Sequence, residues 1–166
     1  MLLEEKNNPD FQLNYLIDFL KLNLIDNKQI VLLGLDIGAN TIGVATWRYD
    51  TKVAIPNLTI KRAKIEIDLK AIHDIVISQR AIALVIGTNY SLSQHDSKLA
   101  MVWTQKWPTI PLIYTDERFT TSLAHTLMRG VGFSRKKRHQ VDNEVAASIF
   151  LGDFGDRLVK KLNLSR

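Results

Sequence analysis

Apolar positions recur along the chain with two different periods, and the changes of period mark its elements. Within residues 1–29, Asn8-Pro9 forms an N-cap and first-turn pair ahead of Phe11, Tyr15, Leu16, Phe19, Leu20 and Leu22. That pattern predicts an appended docking helix. Residues 30–37 are apolar at nearly every position, as a central strand covered on both faces should be. Residues 42–48 predict its hairpin partner, with Gly38, Asn40 and Gly43 supplying freedom in the turn. A third strand is expected within Val53–Arg62 and, because Pro56 interrupts it, near a sheet edge.

From Lys64 to Arg80 the period becomes helical, through Ile65, Leu69, Ile72, Ile75 and Val76. Ala81–Gly87 is a short apolar strand, and residues 96–106 read as a helix stopped by Pro108. Ile110–Thr115 predicts a fifth strand running into Asp116-Glu117-Arg118. Thr120 or Thr121 can cap a further helix ending at Gly130, residues 131–140 read as a Gly- and base-rich loop, and 141–154 as a last helix that Gly155 weakens. Three antiparallel strands followed by alternating helices and strands predict an α/β domain with a mixed five-stranded sheet flanked by helices. The expected organisation is a helical extension over 1–29, a main domain over 30–155 and a tail over 156–166.

Composition narrows the class. The chain has 166 residues, 46% apolar and 23% charged, enough for one domain with a real core. It has no cysteine, which excludes disulfides and thiolate metal sites and suits a reducing, cytoplasmic setting. No apolar run reaches membrane-spanning length, and the opening Met-Leu-Leu-Glu-Glu-Lys is acidic where a secretion signal is basic. The expected location is cytoplasmic, with no membrane partner. Of the net charge of +5, Arg135, Lys136, Lys137 and Arg138 supply four, so the positive field is local. Such a segment suits an anionic polymer, or else a solvated loop.

Candidate chemistry begins at Asp36, a carboxylate in an apolar run that needs a partner if it is buried. Glu117 follows the fifth strand, and Asp142 lies in the first turn of the last expected helix. Sites in mixed α/β sheets form beyond the carboxyl ends of strands, so the three acids can converge there. Oxygen ligands without His or Cys suit Mg²⁺ or Mn²⁺, and two such ions can promote phosphodiester cleavage. Each acid also has a structural reading. Asp142 can complement a helix dipole, Asp116 can cap a turn, and Glu117 with Arg118 can form an exposed ion pair.

Three blocks resemble one family: Leu35-Asp36-Ile37-Gly38 with Ile42-Gly43-Val44-Ala45, then Asp116-Glu117-Arg118-Phe119-Thr120-Thr121, then Val141-Asp142-Asn143-Glu144-Val145-Ala146-Ala147. In this order, over about residues 30–155, they are similar to the YqgF (RuvX-like) family, described as Holliday junction resolvases or as nucleases that mature the precursor of 16S ribosomal RNA. The resemblance implies an RNase H-like fold, metal-binding catalytic carboxylates at Asp36, Glu117 and Asp142, and Mg²⁺ or Mn²⁺ as cofactor. It implies structured nucleic acid as partner, either precursor ribosomal RNA or branched DNA, with Arg118, Arg135, Lys136, Lys137 and Arg138 on its phosphates. A monomer or weak homodimer is expected. The chain departs from the family where Asn40-Thr41 replaces a basic pair, at Gly87-Thr88-Asn89, and in the loop Ser91–Asp96.

The reading this supports is a metal-dependent endonuclease, with maturation of precursor 16S ribosomal RNA ahead of junction cleavage. A non-catalytic nucleic-acid-binding module is the alternative that the altered loops motivate. The Asp-x-Gly hairpin is also shared by actin-like and sugar-kinase ATPases, but those need two such domains, and 166 residues cannot supply both.

Overall fold

The computed structural model describes residues 8–88, 94–116 and 135–164, with the backbone alone at 9, 94–96 and 135–142. Helix α1 (Pro9–Leu22) is followed by a single 3-10 turn at Asn27–Gln29. Strands β1 (Val31–Ile37), β2 (Thr41–Arg48) and β3 (Val53–Lys61) lead to helix α2 (Ile65–Gln79). Then come β4 (Ala83–Thr88), α3 (Gln94–Lys106), β5 (Leu112–Asp116) and the long helix α4 (Arg135–Leu164). The helix expected to end at Gly130 lies outside the described residues.

The five strands form one mixed sheet in the order β3-β2-β1-β4-β5. The β1–β2 and β2–β3 pairs are antiparallel, whereas β1–β4 and β4–β5 are parallel. The strand expected to be central is central, with both faces covered. Leu32 joins Ala45, Trp47, Ala83, Val85 and Ile113 in a core with residues of α1 and α4. Leu33 and Leu35 join Val44, Leu84 and Ile86 in a second core, under α2 and α3. The result is three layers, helix–sheet–helix, each buried face contributing apolar area at about 25 cal/mol per Å².

Both sheet edges are protected from pairing with other chains. β3 lies at an edge, as Pro56 predicts, and the register shifts between Val44 and Ala45 so that Asn57 is left over. At the other edge α1 covers β5. Gln12, only 1% exposed, accepts a hydrogen bond from the Tyr114 backbone N–H at 3.0 Å. Asn8 caps this helix through Oδ1, which accepts from the amides of Asp10 and Phe11. Burial pushes the Tyr114 phenol up to about 12, so it stays neutral in the fold.

Three expectations need correction. First, α1 buries Leu13, Leu16, Ile17 and Leu20, while Phe11, Tyr15 and Leu22 are exposed. The buried four follow the i, i+3, i+4, i+7 stripe, and the exposed three lie off it. Second, the basic tetrad 135–138 is not in a loop, because its backbone forms the first turns of α4. Third, the last helix does not weaken at Gly155, and residues 156–164 are not a tail. A Cβ at Gly155 would lie 2.3 Å from the Trp47 indole, so this glycine lets a fully buried ring pack directly against the helix. Beyond it Leu158 and Leu162 are buried, and their burial carries the helix to Leu164.

Candidate active site at the carboxyl end of β1

Alternation along β1 aims Leu32, Gly34 and Asp36 at the α4 face. Leu32 sits in the α4-side core, and a Cβ on Gly34 would meet the Leu151 side chain at 3.0 Å. Asp36 is the next residue on that face, one before the strand ends. It is half-buried, not enclosed as its apolar flanks suggest. Its cross-strand partner is Gly43.

Gly43 explains how α4 reaches the site. A Cβ there would lie 2.1 Å from the Asn143 carbonyl carbon, 2.3 Å from its oxygen and 2.4 Å from the Glu144 nitrogen. The helix backbone therefore rests directly on the strand beside Asp36. Neither Gly38 nor Gly43 adopts left-handed backbone, so close approach, not turn freedom, requires them. At Gly38 a Cβ would meet Asn143 Nδ2 at 3.0 Å.

The turn behind Asp36 is held from two sides. Within it, Gly38 N donates to Thr41 O at 2.9 Å. From α4, Asn143 Nδ2 donates to Thr41 Oγ1 at 2.6 Å. From the opposite side of the sheet, Arg62 Nη1 donates to Gly38 O at 2.6 Å, and the Arg62 amide donates to Asn40 O at 2.9 Å. Arg62 is in turn faced by Asp68, a fully buried acid whose Oδ2 lies 3.8 Å from Arg62 Nε and, among the described residues, has no hydrogen-bond partner. The other Asp68 oxygen accepts from the Ala63 amide at 2.9 Å. Replacing Arg62 with Ala removes the hydrogen bond to Gly38 O and the cation that faces the buried Asp68 carboxylate. We expect a loss of about 2 kcal/mol in urea unfolding, and a loss under about 0.5 kcal/mol would show that the arginine does not support the turn.

The structure treats the expected site residues unequally. Asp36 and backbone position 142 come to the same end of the sheet, since position 142 directly precedes the residue packed on Gly43. Glu144 turns toward β3, accepting from Thr59 Oγ1 at 3.1 Å, and Gly152 faces Ala54 of the same strand. On β5, Asp116 pairs with Thr88 at the carboxyl ends of the parallel strands. Glu117 and Arg118 lie outside the described residues, as do the side chains of Asp142, Arg135, Lys136, Lys137 and Arg138.

Sequence reading missed Asn143, Arg62 and Asp68. Asn143 had a signal, being in phase with the buried Ala147, Phe150 and Phe154. Arg62 had none, because its target carbonyl lies 24 residues upstream across two strands. Among the described residues no helix is long and apolar enough to cross a membrane.

A family model described as RuvX, Holliday junction resolvase, matches residues 30–157. A protein of Caldanaerobacter subterraneus subsp. tengcongensis is 35% identical over 132 residues, 75% of this chain and 95% of its own length. One from Cereibacter sphaeroides is 33% identical over 134 residues, covering 76% of this chain and 83% of its own. Both relatives bear the provisional name pre-16S rRNA nuclease. Among solved structures, a Fowlpox virus resolvase in complex with Holliday junction DNA aligns over 75% of this chain and 97% of that one, with a TM-score of 0.51 and 8% identity. That likeness is one of fold, the RNase H-like arrangement expected from the sequence.

Proposed function

Because this chain belongs to the RuvX family, we propose that it is a divalent-metal-dependent endonuclease acting on structured nucleic acid, with the 5′ end of precursor 16S ribosomal RNA as its main substrate. The observation that carries this reading is Asp36. It is a half-buried carboxylate at the carboxyl end of the central strand, with the N-terminal part of α4 packed against its cross-strand partner. The family's nuclease names agree with it.

The donors suit a hard cation. Asp36 offers carboxylate oxygens from a rigid strand, and the chain has no thiolate. Glu117 and Asp142 complete the proposed ligand set. A bound Mg²⁺ or Mn²⁺ supplies Lewis-acid polarisation of the phosphate and stabilises the leaving oxygen. The protein's part is to position. Asp36 is fixed by β1 and by a turn braced by Arg62 and Asn143, which limits motion of the reacting phosphate relative to its ligands. Hydrolysis adds water across the P–O3′ bond, leaving a 5′-phosphate and a 3′-hydroxyl. Arg118 and the basic first turns of α4, Arg135, Lys136, Lys137 and Arg138, contact backbone phosphates, where the positive end of the helix dipole adds to their charge.

Cleavage of a four-way DNA junction is the second reading, favoured by the description of the matched family. One experiment addresses both. End-labelled transcripts spanning the 5′ end of precursor 16S ribosomal RNA, and a labelled four-way junction, are incubated with protein and Mg²⁺, Mn²⁺ or EDTA. We expect cut transcript with either metal and none with EDTA. A cut junction and intact transcript would reverse the substrate order. Intact probes under all conditions, despite measurable binding, would favour a binding module.

A further inference from the structure

We propose that Lys61 binds a phosphate of the nucleic-acid backbone beside the phosphodiester held at Asp36, supplying a charge that the uncharged Gly38–Thr41 turn does not. This rests on the nuclease reading and deepens it. Asp36, Gly43 and Thr59 form one row across β1, β2 and β3, and the next row toward the turn pairs Thr41 with Lys61. Thr59 faces α4, since its hydroxyl donates to Glu144. Alternation then sets Lys61, two residues on, on that same face, the face that carries Asp36. Two strand spacings and one two-residue step separate the Asp36 and Lys61 backbones by roughly 12 Å, and the flexible four-carbon stem lets the lysine charge range about its own backbone position.

Lys61 is exposed and, among the described residues, has no ion-pair partner. Its neighbour Arg62 points the other way, with its guanidinium engaged by Gly38 O and Asp68. The two adjacent cations thus divide the work: Arg62 braces the turn from behind, and Lys61 stands beside it on the open face. The turn itself, Gly38-Ala39-Asn40-Thr41, carries no charge. A polyanion lying across Asp36 toward β3 therefore meets Lys61 first on that flank.

The test is a salt titration of binding, by fluorescence anisotropy, with the labelled transcript and the four-way junction as probes. Wild type, Lys61→Ala and Lys61→Arg are compared. Lys61→Ala should weaken binding several-fold at low salt and lower the slope of log affinity against log salt by about 0.7–0.9. Lys61→Arg should restore both, and thermal stability should not change in either variant. An alanine variant with wild-type affinity and slope overturns the proposal, as does a wild type that binds neither probe. A wild type that binds but never cuts overturns the nuclease reading alone, and the slope still decides Lys61.

Discussion

Asp36→Asn should abolish cleavage while leaving nucleic-acid binding intact. The substitution is nearly isosteric and half-exposed, so the hydrogen-bonded turn behind it should persist and thermal stability should change little. What changes is the donor, because a neutral amide replaces an anionic carboxylate and is a much poorer ligand for a hard cation. Losing an outer-shell partner costs a metal enzyme 10–100-fold, so loss of a direct ligand should lower single-turnover cleavage by at least about 100-fold. Binding measured in parallel should be unchanged or slightly tighter, since one negative charge facing the phosphates is gone. Cleavage within a few-fold of wild type would remove Asp36 from the chemistry and leave the family's nuclease names without a physical basis in this chain.

Gly43→Ala should be among the most damaging single-methyl additions to the sheet. Its Cβ would meet three backbone atoms of α4 at 2.1–2.4 Å. Backbone cannot rotate aside, and moving one turn breaks the i→i−4 hydrogen bonds that hold it, so the helix must lift as a unit. The cost should be about 3 kcal/mol or more, read from urea unfolding. Two other glycines calibrate the result. At Gly34 the contacts are Leu151 Cδ2, Cβ and Cγ at 3.0–3.3 Å, longer than those at Gly43 and with a side chain instead of backbone, so a shift of a few tenths of an ångström relieves them and alanine there should cost less. At Gly152 a Cβ meets Ala54 at an ordinary 3.7 Å, and alanine should be neutral or stabilising by up to about 1 kcal/mol. Equal midpoints for the Gly43 and Gly152 variants would mean that α4 does not rest on β2 as described. Because Gly43 pairs with Asp36, its alanine variant should also lose cleavage at temperatures where it is still folded.

The elements were legible wherever burial imposes a period on adjacent residues. The unbroken apolar run at 30–37 announced a strand covered on both faces, and Pro56 announced an edge; both are found. The phase of α1 was misread because Phe11, Tyr15 and Leu22 are as apolar as the residues that pack. Hydrophobicity alone does not choose between two overlapping stripes on one helix. The end of α4 was misread for a related reason. Gly155 looks like a helix breaker by propensity, yet its missing side chain is what Trp47 needs, and packing outweighs a propensity of about 1 kcal/mol.

At the site, the sequence by itself determined Asp36 and its setting: an acid closing a buried strand, followed by a tight hairpin in a chain without cysteine. Those facts are local, and local rules of alternation and turn chemistry read them. It also determined the family, through blocks whose order survives whatever the fold does between them. Only the tertiary structure decided that α4 lies on Gly43, that Asn143 reaches Thr41, and that Arg62 and Lys61 take opposite faces beside the turn. These depend on contacts between residues 24 to 102 positions apart. Nothing in the composition of either partner records such a contact, because its energy exists only once the sheet has brought the two together.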